Sequence, residues 1–441
     1  MELRDLVVTP IVIMLVLMGA YLVRPYVTDN INRKYFFPAL LVKIVGAISV
    51  GVIYQFYYDD GDTFKYHSQG SRKMYEIMLN NPIDGFDLLF FGRNEWTDRY
   101  ILDIPVMRDA PSFFVARIAY FFDLFTFSTY SSTAIFFALF SFLGSWFFFK
   151  TFYDIYPMFH RSIAISSFFI PSVFFWGSGI LKDTITLACM GVAVYYTRRI
   201  FVEKVVSILN VALLVVSLYV IFSIKIYILL SFVPALILWV FSSNLVRIQT
   251  PILKVILLPI ILILTIFFGY YSILKLGEGD NKYALDKLTV TANVTAYDIR
   301  YVTGRAAGSG YKMGEIDGSL TSVVRVLPEG INVSLFRPYL WEVKNPLMLL
   351  TACESFVLLI LTLFVVFYRG RTFLKMIFEP NILFCFVFSI SFAFAVGVST
   401  LNFGTLSRYR IPLLPFYFLA IVLLLDYSKR DRKLSELDSI E

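Results

Sequence analysis

Apolar residues run along this chain in blocks close to the roughly 20 residues that cross a bilayer as a helix, parted by short segments of charged and turn residues. Eleven membrane-spanning helices are expected from these blocks: Leu6–Val23, Phe36–Tyr57, Thr133–Phe149, Ser162–Trp176, Thr184–Tyr196, Val205–Phe222, Ile226–Phe241, Pro251–Tyr270, Pro346–Phe367, Ile382–Thr400 and Ile411–Leu425. Two of them, Ser162–Trp176 and Thr184–Tyr196, are short for a crossing and flank a Gly-Ser-Gly connector at Gly177–Gly179, which would have to lie in the bilayer's edge. Two polar stretches, 58–131 and 271–345, interrupt the pattern. The first contains an apolar run, Ser112–Phe127, which holds Arg117 and Asp123; counting it as a span would invert every later segment, so it reads as a helix lying in the interface. Phe64–Asn80 reads as a second short amphipathic helix, and Pro82, Pro105 and Pro111 divide the rest. The second stretch has Gly-rich pieces, including Gly304–Gly310, and nearly balanced charge, and neither stretch reads as an independent domain.

Composition agrees with this pattern and adds little to it. The chain of 441 residues is 58% hydrophobic and 16% charged, far from soluble averages of roughly 45–50% and about 25%. The fold class is therefore an all-α polytopic membrane protein of about 11 transmembrane helices, one domain over 1–441, with two long outer loops carrying interfacial helices. The first apolar block lacks a small-residue cleavage site before polar sequence and reads as a retained anchor. The 46 Phe and 28 Tyr suit membrane helices, interfacial belts or stacking on sugar rings, and composition does not choose among these.

The net charge of +7 could suit a nucleic-acid binder, but the basic residues sit in the connections between apolar blocks, so no nucleic-acid partner is expected. Seventeen Lys and Arg fall on one side of the expected topology, against Arg4, Lys182, Lys225, Arg408 and Arg410 on the other. That bias places the basic tail, 427–441, in the cytoplasm and both the N-terminus and the two long loops outside, in a multi-pass cytoplasmic (inner) membrane protein. The three cysteines lie in apolar segments without metal-ligand spacing, and the two histidines, His67 and His160, are far apart, which disfavours a Cys/His metal site or nucleophile pair.

Three constellations could carry chemistry. Asp59, Asp60 and Asp62 surround Gly61 directly after the second span, a group of hard oxygens that suits a general base, while Asp60 and Asp62 also suit a divalent ion such as Mg²⁺ or Mn²⁺. A solvated turn is the competing reading, since Asp and Gly are turn residues. Phe175–Asp183, Phe-Trp-Gly-Ser-Gly-Ile-Leu-Lys-Asp, brings Lys182 to the outer side against the charge bias, beside glycines that let backbone approach a ligand. Its competing reading is a helix-hairpin turn with Asp183 as a cap and Lys182 reaching for water. The third joins Arg337 and Glu342, in Phe336–Glu342, to Arg408 and Arg410, in Ser407–Pro412, because arginine grips phosphate in a planar, bidentate way. Anionic lipid head groups compete for those arginines, and an interfacial belt competes for Tyr339 and Trp341. Glu354 fits either an outer cation or a site. All three constellations fall on the outer side of the expected topology.

The acidic Asp-Asp-Gly-Asp-Thr followed by Tyr66, interfacial helices in the same loop, and a late Arg-Tyr-Arg-Ile-Pro before the last span resemble bacterial members of the GT-C superfamily of polytopic glycosyltransferases. The sequence departs from their usual plan in having a span before the one that leads into the acidic loop, and no soluble domain after the membrane part. The resemblance implies hexosyl transfer from a polyprenyl-phosphate-linked sugar to a glycan or lipid acceptor in cell-envelope polysaccharide synthesis, among membrane lipids. Asp59, Asp60 or Asp62 would then activate the acceptor, Lys182, Arg337, Arg408 and Arg410 would hold phosphate, and Tyr66, His67, Asp183, Trp341 and Glu342 would support the acceptor. No nucleotide is implied, and no cofactor beyond the Mg²⁺ or Mn²⁺ above. Two other functions remain open: an O-antigen-type polymerase or ligase resting on the arginines, and a transporter of lipid-linked saccharide. Transporters place ionisable groups near the bilayer midplane, whereas here only Lys43 is clearly inside an apolar block.

Overall fold

The computed structural model describes residues 3–58, 61–245, 310, 311, 313, 320–368, 376–400 and 402–438. Asp59, Asp60, the expected span Pro251–Tyr270 and residues 304–309 lie outside the described residues. Among the described residues the fold is helical, with a single isolated bridge between Gly310 and Asn402. The helices are α1 (Asp5–Val27), α2 (Arg33–Phe56), α3 (Asp62–Tyr66), α4 (Arg72–Asn80), α5 (Pro82–Phe90), α6 (Ala110–Thr126), α7 (Tyr130–Tyr153), α8 (His160–Phe168), α9 (Pro171–Trp176), α10 (Lys182–Thr197), α11 (Ile208–Leu245), α12 (Leu320–Phe336), α13 (Pro346–Leu363), α14 (Pro380–Thr400), α15 (Phe403–Tyr409) and α16 (Leu414–Asp438). Seven described helices are long and apolar enough to cross a membrane, eight if α15 and α16, bent by 70° at their junction, form one span. The chain is a multi-pass all-α membrane protein.

The expected segments and the helices differ in instructive places. Ser162–Trp176 is two short helices, α8 and α9, because Pro171 has no N–H to continue α8 and instead starts α9 at its first position. Phe64–Asn80 is α3, a π turn over His67–Ser71, and α4. The expected pair Val205–Phe222 and Ile226–Phe241 falls within α11, whose backbone leaves helical angles at Lys225 (φ −145°, ψ 72°). A straight helix of that length would run ~57 Å at ~1.5 Å per residue. Instead, Lys225 meets Asp183 at the start of α10, while Asn244 Nδ2 donates to the Phe201 carbonyl (3.2 Å) just past the end of α10. The two arms of α11 therefore run antiparallel about Lys225.

The same logic fixes which ends lie together. The Ser131 N–H at the start of α7 donates to Asp5 at the start of α1 (2.9 Å), and the Thr63 hydroxyl, just past α2, bonds that of Tyr130 (2.7 Å). This end also holds the start of α10 and the apex of α11. At the opposite end Tyr153 donates to Asp29 (3.1 Å), the Tyr35 hydroxyl bonds His160 (2.6 Å), and Tyr156 donates to Glu379 (2.8 Å). The first polar stretch is not loose: α4, α5 and α6 close over a small core of Met74, Leu88, Ile104, Met107, Phe113 and Tyr120.

The core of the bundle depends on close contact between α7 and α10. A Cβ on Gly144 would meet the Ala188 backbone, and one on Gly191 would meet the Gly144 carbonyl. Small residues let membrane helices approach, and dispersion then replaces the hydrophobic drive that lipid cannot supply. Gly191→Leu is expected to destabilise the fold by about 3 kcal/mol, read as a lowered melting temperature of detergent-purified protein. An unchanged melting temperature would mean that α7 and α10 do not touch at this crossing.

Candidate functional site

Four charged side chains from four parts of the chain meet at the end of the bundle where α10 begins. Asp183, in the first turn of α10, is fully buried and uses both carboxylate oxygens: Oδ2 accepts from Arg408 Nε (2.8 Å) and Oδ1 accepts from Lys225 Nζ. Arg408, in the last turn of α15, also donates from Nη1 to Asp62 Oδ2 (2.7 Å) and approaches the Tyr54 hydroxyl (3.5 Å) near the end of α2. Lys225 lies over the Tyr409 ring (4.6 Å to its centroid) and near that of Tyr227 (5.8 Å), so its desolvated ammonium is held by two ring faces as well as by Asp183. Exposure is graded across the group: 0% for the Asp183 side chain, 11% for Arg408 and 39% for Asp62.

Local structure explains these positions. A negative residue in the first turn of a helix is favoured by the unsatisfied N–H groups there, and Asp183 takes that place in α10. Asp62 occupies the same place in α3, which starts after Gly61, where a side chain would collide with the Tyr54 ring. Lys225 sits at the break of α11, where the chain reverses.

A second ion pair lies next to the first group. Lys182 Nζ donates to Asp109 Oδ2 (2.8 Å) and lies 5.9 Å from the Tyr66 ring centroid. Asp109 also caps α6 by accepting from the Ser112 N–H (3.1 Å). Burial pushes the Asp109 carboxyl up, but its bonds from Lys182 and Ser112 outweigh that and hold it below the ordinary Asp range. Burial first, then the Asp62 charge, raise the Tyr66 phenol well above its usual value, so it stays protonated and able to donate.

His67 follows Tyr66 as the first residue of the π turn and is 2% exposed; its Nε2 is 3.7 Å from Asp123 Oδ1. Asp123 also accepts from Thr133 (2.5 Å) and Ser128 (3.2 Å), and burial raises its carboxyl above the usual range. This pair fastens the π turn to α6 and α7.

Arg408 and Arg410, two residues apart, part company. Arg410 is fully buried and donates to Glu354 Oε1 (3.0 Å), Ser355 Oγ (2.8 Å) and the Arg337 carbonyl (3.0 Å). Glu354 in turn accepts from the Ser172 N–H (2.9 Å) and hydroxyl (2.7 Å), capping α9. Arg337 grips Glu342 through Nε and Nη2, and burial of Glu342 is outweighed by Arg337 and the Tyr339 N–H, which keep its carboxyl low. Trp341 stacks on Tyr339 (centroids 4.7 Å apart) and is 79% exposed. These residues form a neighbouring group, joined to the first through the Arg408–Arg410 backbone and through Arg337, which lies over the Phe403 ring of α15 (5.1 Å to its centroid).

The glycines of the Gly-Ser-Gly connector lie against neighbouring backbone and side chains. Gly177 faces the Val173 carbonyl and Leu187, and Gly179 faces Val50 of α2, so both allow helix packing. Asp183 and Lys225, which fall between the expected spans, belong to the long apolar helices α10 and α11, and Glu354 lies within α13; the side chains of all three are buried among their neighbours. Lys43 is fully buried on α2 and its Nζ has no hydrogen-bond partner among the described residues. Three residues of the group escaped the sequence reading as site candidates: Lys225, Asp109 and Tyr54. Lys225 carried the signal that picked out Lys182, an outward cation against the charge bias, and Asp109 carried a capping pattern, Asp-Ala-Pro-Ser; nothing marked Tyr54. No group of three or more His, Cys, Asp or Glu placed to hold a metal occurs among the described residues, and Asp62 is already engaged by Arg408. Comparison with protein-family profiles, with curated proteins and with solved structures gives no match.

Proposed function

We propose that the chain is a polytopic membrane glycosyltransferase, moving a sugar from a polyprenyl-phosphate-linked donor to a glycan or lipid acceptor on the outer face of the cytoplasmic membrane. The observation that carries this reading is the Asp62–Arg408–Asp183–Lys225 network, with the Lys182–Asp109 pair beside it, at one end of the bundle. A lipid-linked substrate presents its phosphate and sugar at that depth, with its chain in the bilayer. Asp62 is the carboxylate that water and an acceptor reach. It takes the acceptor hydroxyl proton as that oxygen bonds to the anomeric carbon. The anomeric carbon–oxygen bond breaks with its electron pair going to the phosphate, and Arg408 and Lys182 balance the charge that develops there. Asp183 and Lys225 are positioning residues, which hold Arg408 in one orientation.

A transporter reading draws on the three chain breaks around the network: the connector before α10, Lys225 in α11 and the α15–α16 bend. Depth weighs against it. Asp183 is the second residue of a 21-residue apolar segment, Lys182–Val202, so the network sits at an end of the bundle and not half-way. The deciding experiment is incubation of purified protein in vesicles with polyprenyl-phosphate sugars and envelope glycans. A glycosidic product that is lost in Asp62→Ala supports transfer. Movement of the lipid-linked sugar across the vesicle with no product supports transport and ends the enzyme reading.

A further inference from the structure

Arg408 is the point where the buried and open halves of the network meet. Its Nε is held by Asp183, at 0% exposure, and its Nη1 by Asp62, at 39%. Formal charges cancel throughout: Asp62 and Asp183 against Arg408 and Lys225, and Asp109 against Lys182. A phosphate arriving here therefore meets cations that already have anions, and it binds by taking a carboxylate's place. The two carboxylates of Arg408 are not equally replaceable. Moving Asp183 would strand a buried charge and leave Lys225 unpaired, whereas Asp62 can turn to water, since an exposed ion pair is weak and its carboxylate is easily solvated.

We propose that Asp62 is the resident anion of the phosphate subsite, standing on the guanidinium edge that the donor's phosphodiester takes, and that its displacement releases the carboxylate to act on the acceptor. The second half of this inference rests on the glycosyl-transfer reading. The exchange makes the base available only when a donor phosphate is in place. Arginine suits the role because its planar fork can keep one anion on Nε while trading another on Nη1. Asp109 stands toward Lys182 in the same relation, 55% exposed against 17% for the lysine, so a phosphate bridging Arg408 and Lys182 displaces two open carboxylates and no buried one.

The test is equilibrium binding of farnesyl phosphate, farnesol and inorganic phosphate to the full chain in lipid nanodiscs, for the wild type, Asp62→Asn and Asp62→Glu. The wild type is expected to prefer farnesyl phosphate to farnesol. Asp62→Asn, with the competing anion gone, is expected to bind farnesyl phosphate about fivefold more tightly while losing transfer activity, and Asp62→Glu to stay near wild type. Tightening toward inorganic phosphate as well identifies phosphate itself as what Arg408 reads; tightening toward farnesyl phosphate alone adds the lipid chain to the recognition. If the wild type prefers farnesyl phosphate but Asp62→Asn binds it no better, or worse, Asp62 is a ligand and not a competitor; this inference then fails and the transfer reading survives. If the wild type does not tell farnesyl phosphate from farnesol, both fall. Equal melting temperatures of the three proteins establish that the comparison is between folded chains.

Discussion

Asp183→Asn is expected to destabilise the folded chain by about 3–5 kcal/mol and to abolish transfer. The carboxylate is fully buried and holds two cations from distant segments, one on each oxygen. An amide of the same shape cannot accept as strongly at both positions and carries no charge, so Lys225 is left buried without a counter-ion and Arg408 keeps only the half-exposed Asp62. Removing one partner of a buried pair costs more than the pair contributes, because the remaining charge keeps its desolvation penalty. A double-mutant cycle separates the two effects. Lys225→Met combined with Asp183→Asn should recover a substantial part of the stability, since one stranded cation is gone, but no activity, since Arg408 is still without its anchor. Denaturant titration in mixed micelles with an activity assay on the same samples reads both quantities. If Asp183→Asn alone stays within about 1 kcal/mol of wild type, the four charges do not act as a buried unit, and the orienting role given to Asp183 is wrong.

How far the sequence foretold this site depends on which kind of signal each residue carried. Block hydropathy located α2, α7 and α14 well, because each is a long apolar run with charge or turn residues at its ends. It also located both arms of α11, since Lys225 interrupts an otherwise apolar run. What it could not give is contact between segments. Asp183 and Lys225 are 42 residues apart, and Asp62 and Arg408 are 346 apart, so no local pattern joins them. The charge bias was the useful proxy: cations that resist it needed a reason to be where they are, and Lys182, Lys225, Arg408 and Arg410 all have carboxylate partners. The same proxy misled over depth, because an ionisable residue one turn inside a helix looks like a flanking residue in the sequence. It also grouped Arg408 with Arg410, although Arg408 lies in the last turn of α15 and Arg410 caps that helix at the start of the α15–α16 bend, where their side chains take different partners.

That separation makes the Arg410–Glu354 pair a sharp test of which arginine does chemistry. Arg410→Met is expected to cost about 3–5 kcal/mol, because Glu354 loses its cation in a dry setting while keeping only the bonds from Ser172. The double variant Arg410→Met with Glu354→Gln removes both charges. A buried ion pair replaced by neutral groups of similar size is often no less stable than the original, so most of the loss should return. The amide that Glu354→Gln introduces can still accept from Ser172, which preserves the cap on α9. Activity should return with stability, because in the proposed chemistry Arg410 does not itself meet phosphate. No neutral replacement of Arg408 should do the same, whatever its stability. A polymerase or ligase that depends on Arg337, Arg408 and Arg410 together predicts the opposite for the double variant: restored folding with no product. Melting temperature and product yield, measured on both single variants and the double, decide between these outcomes.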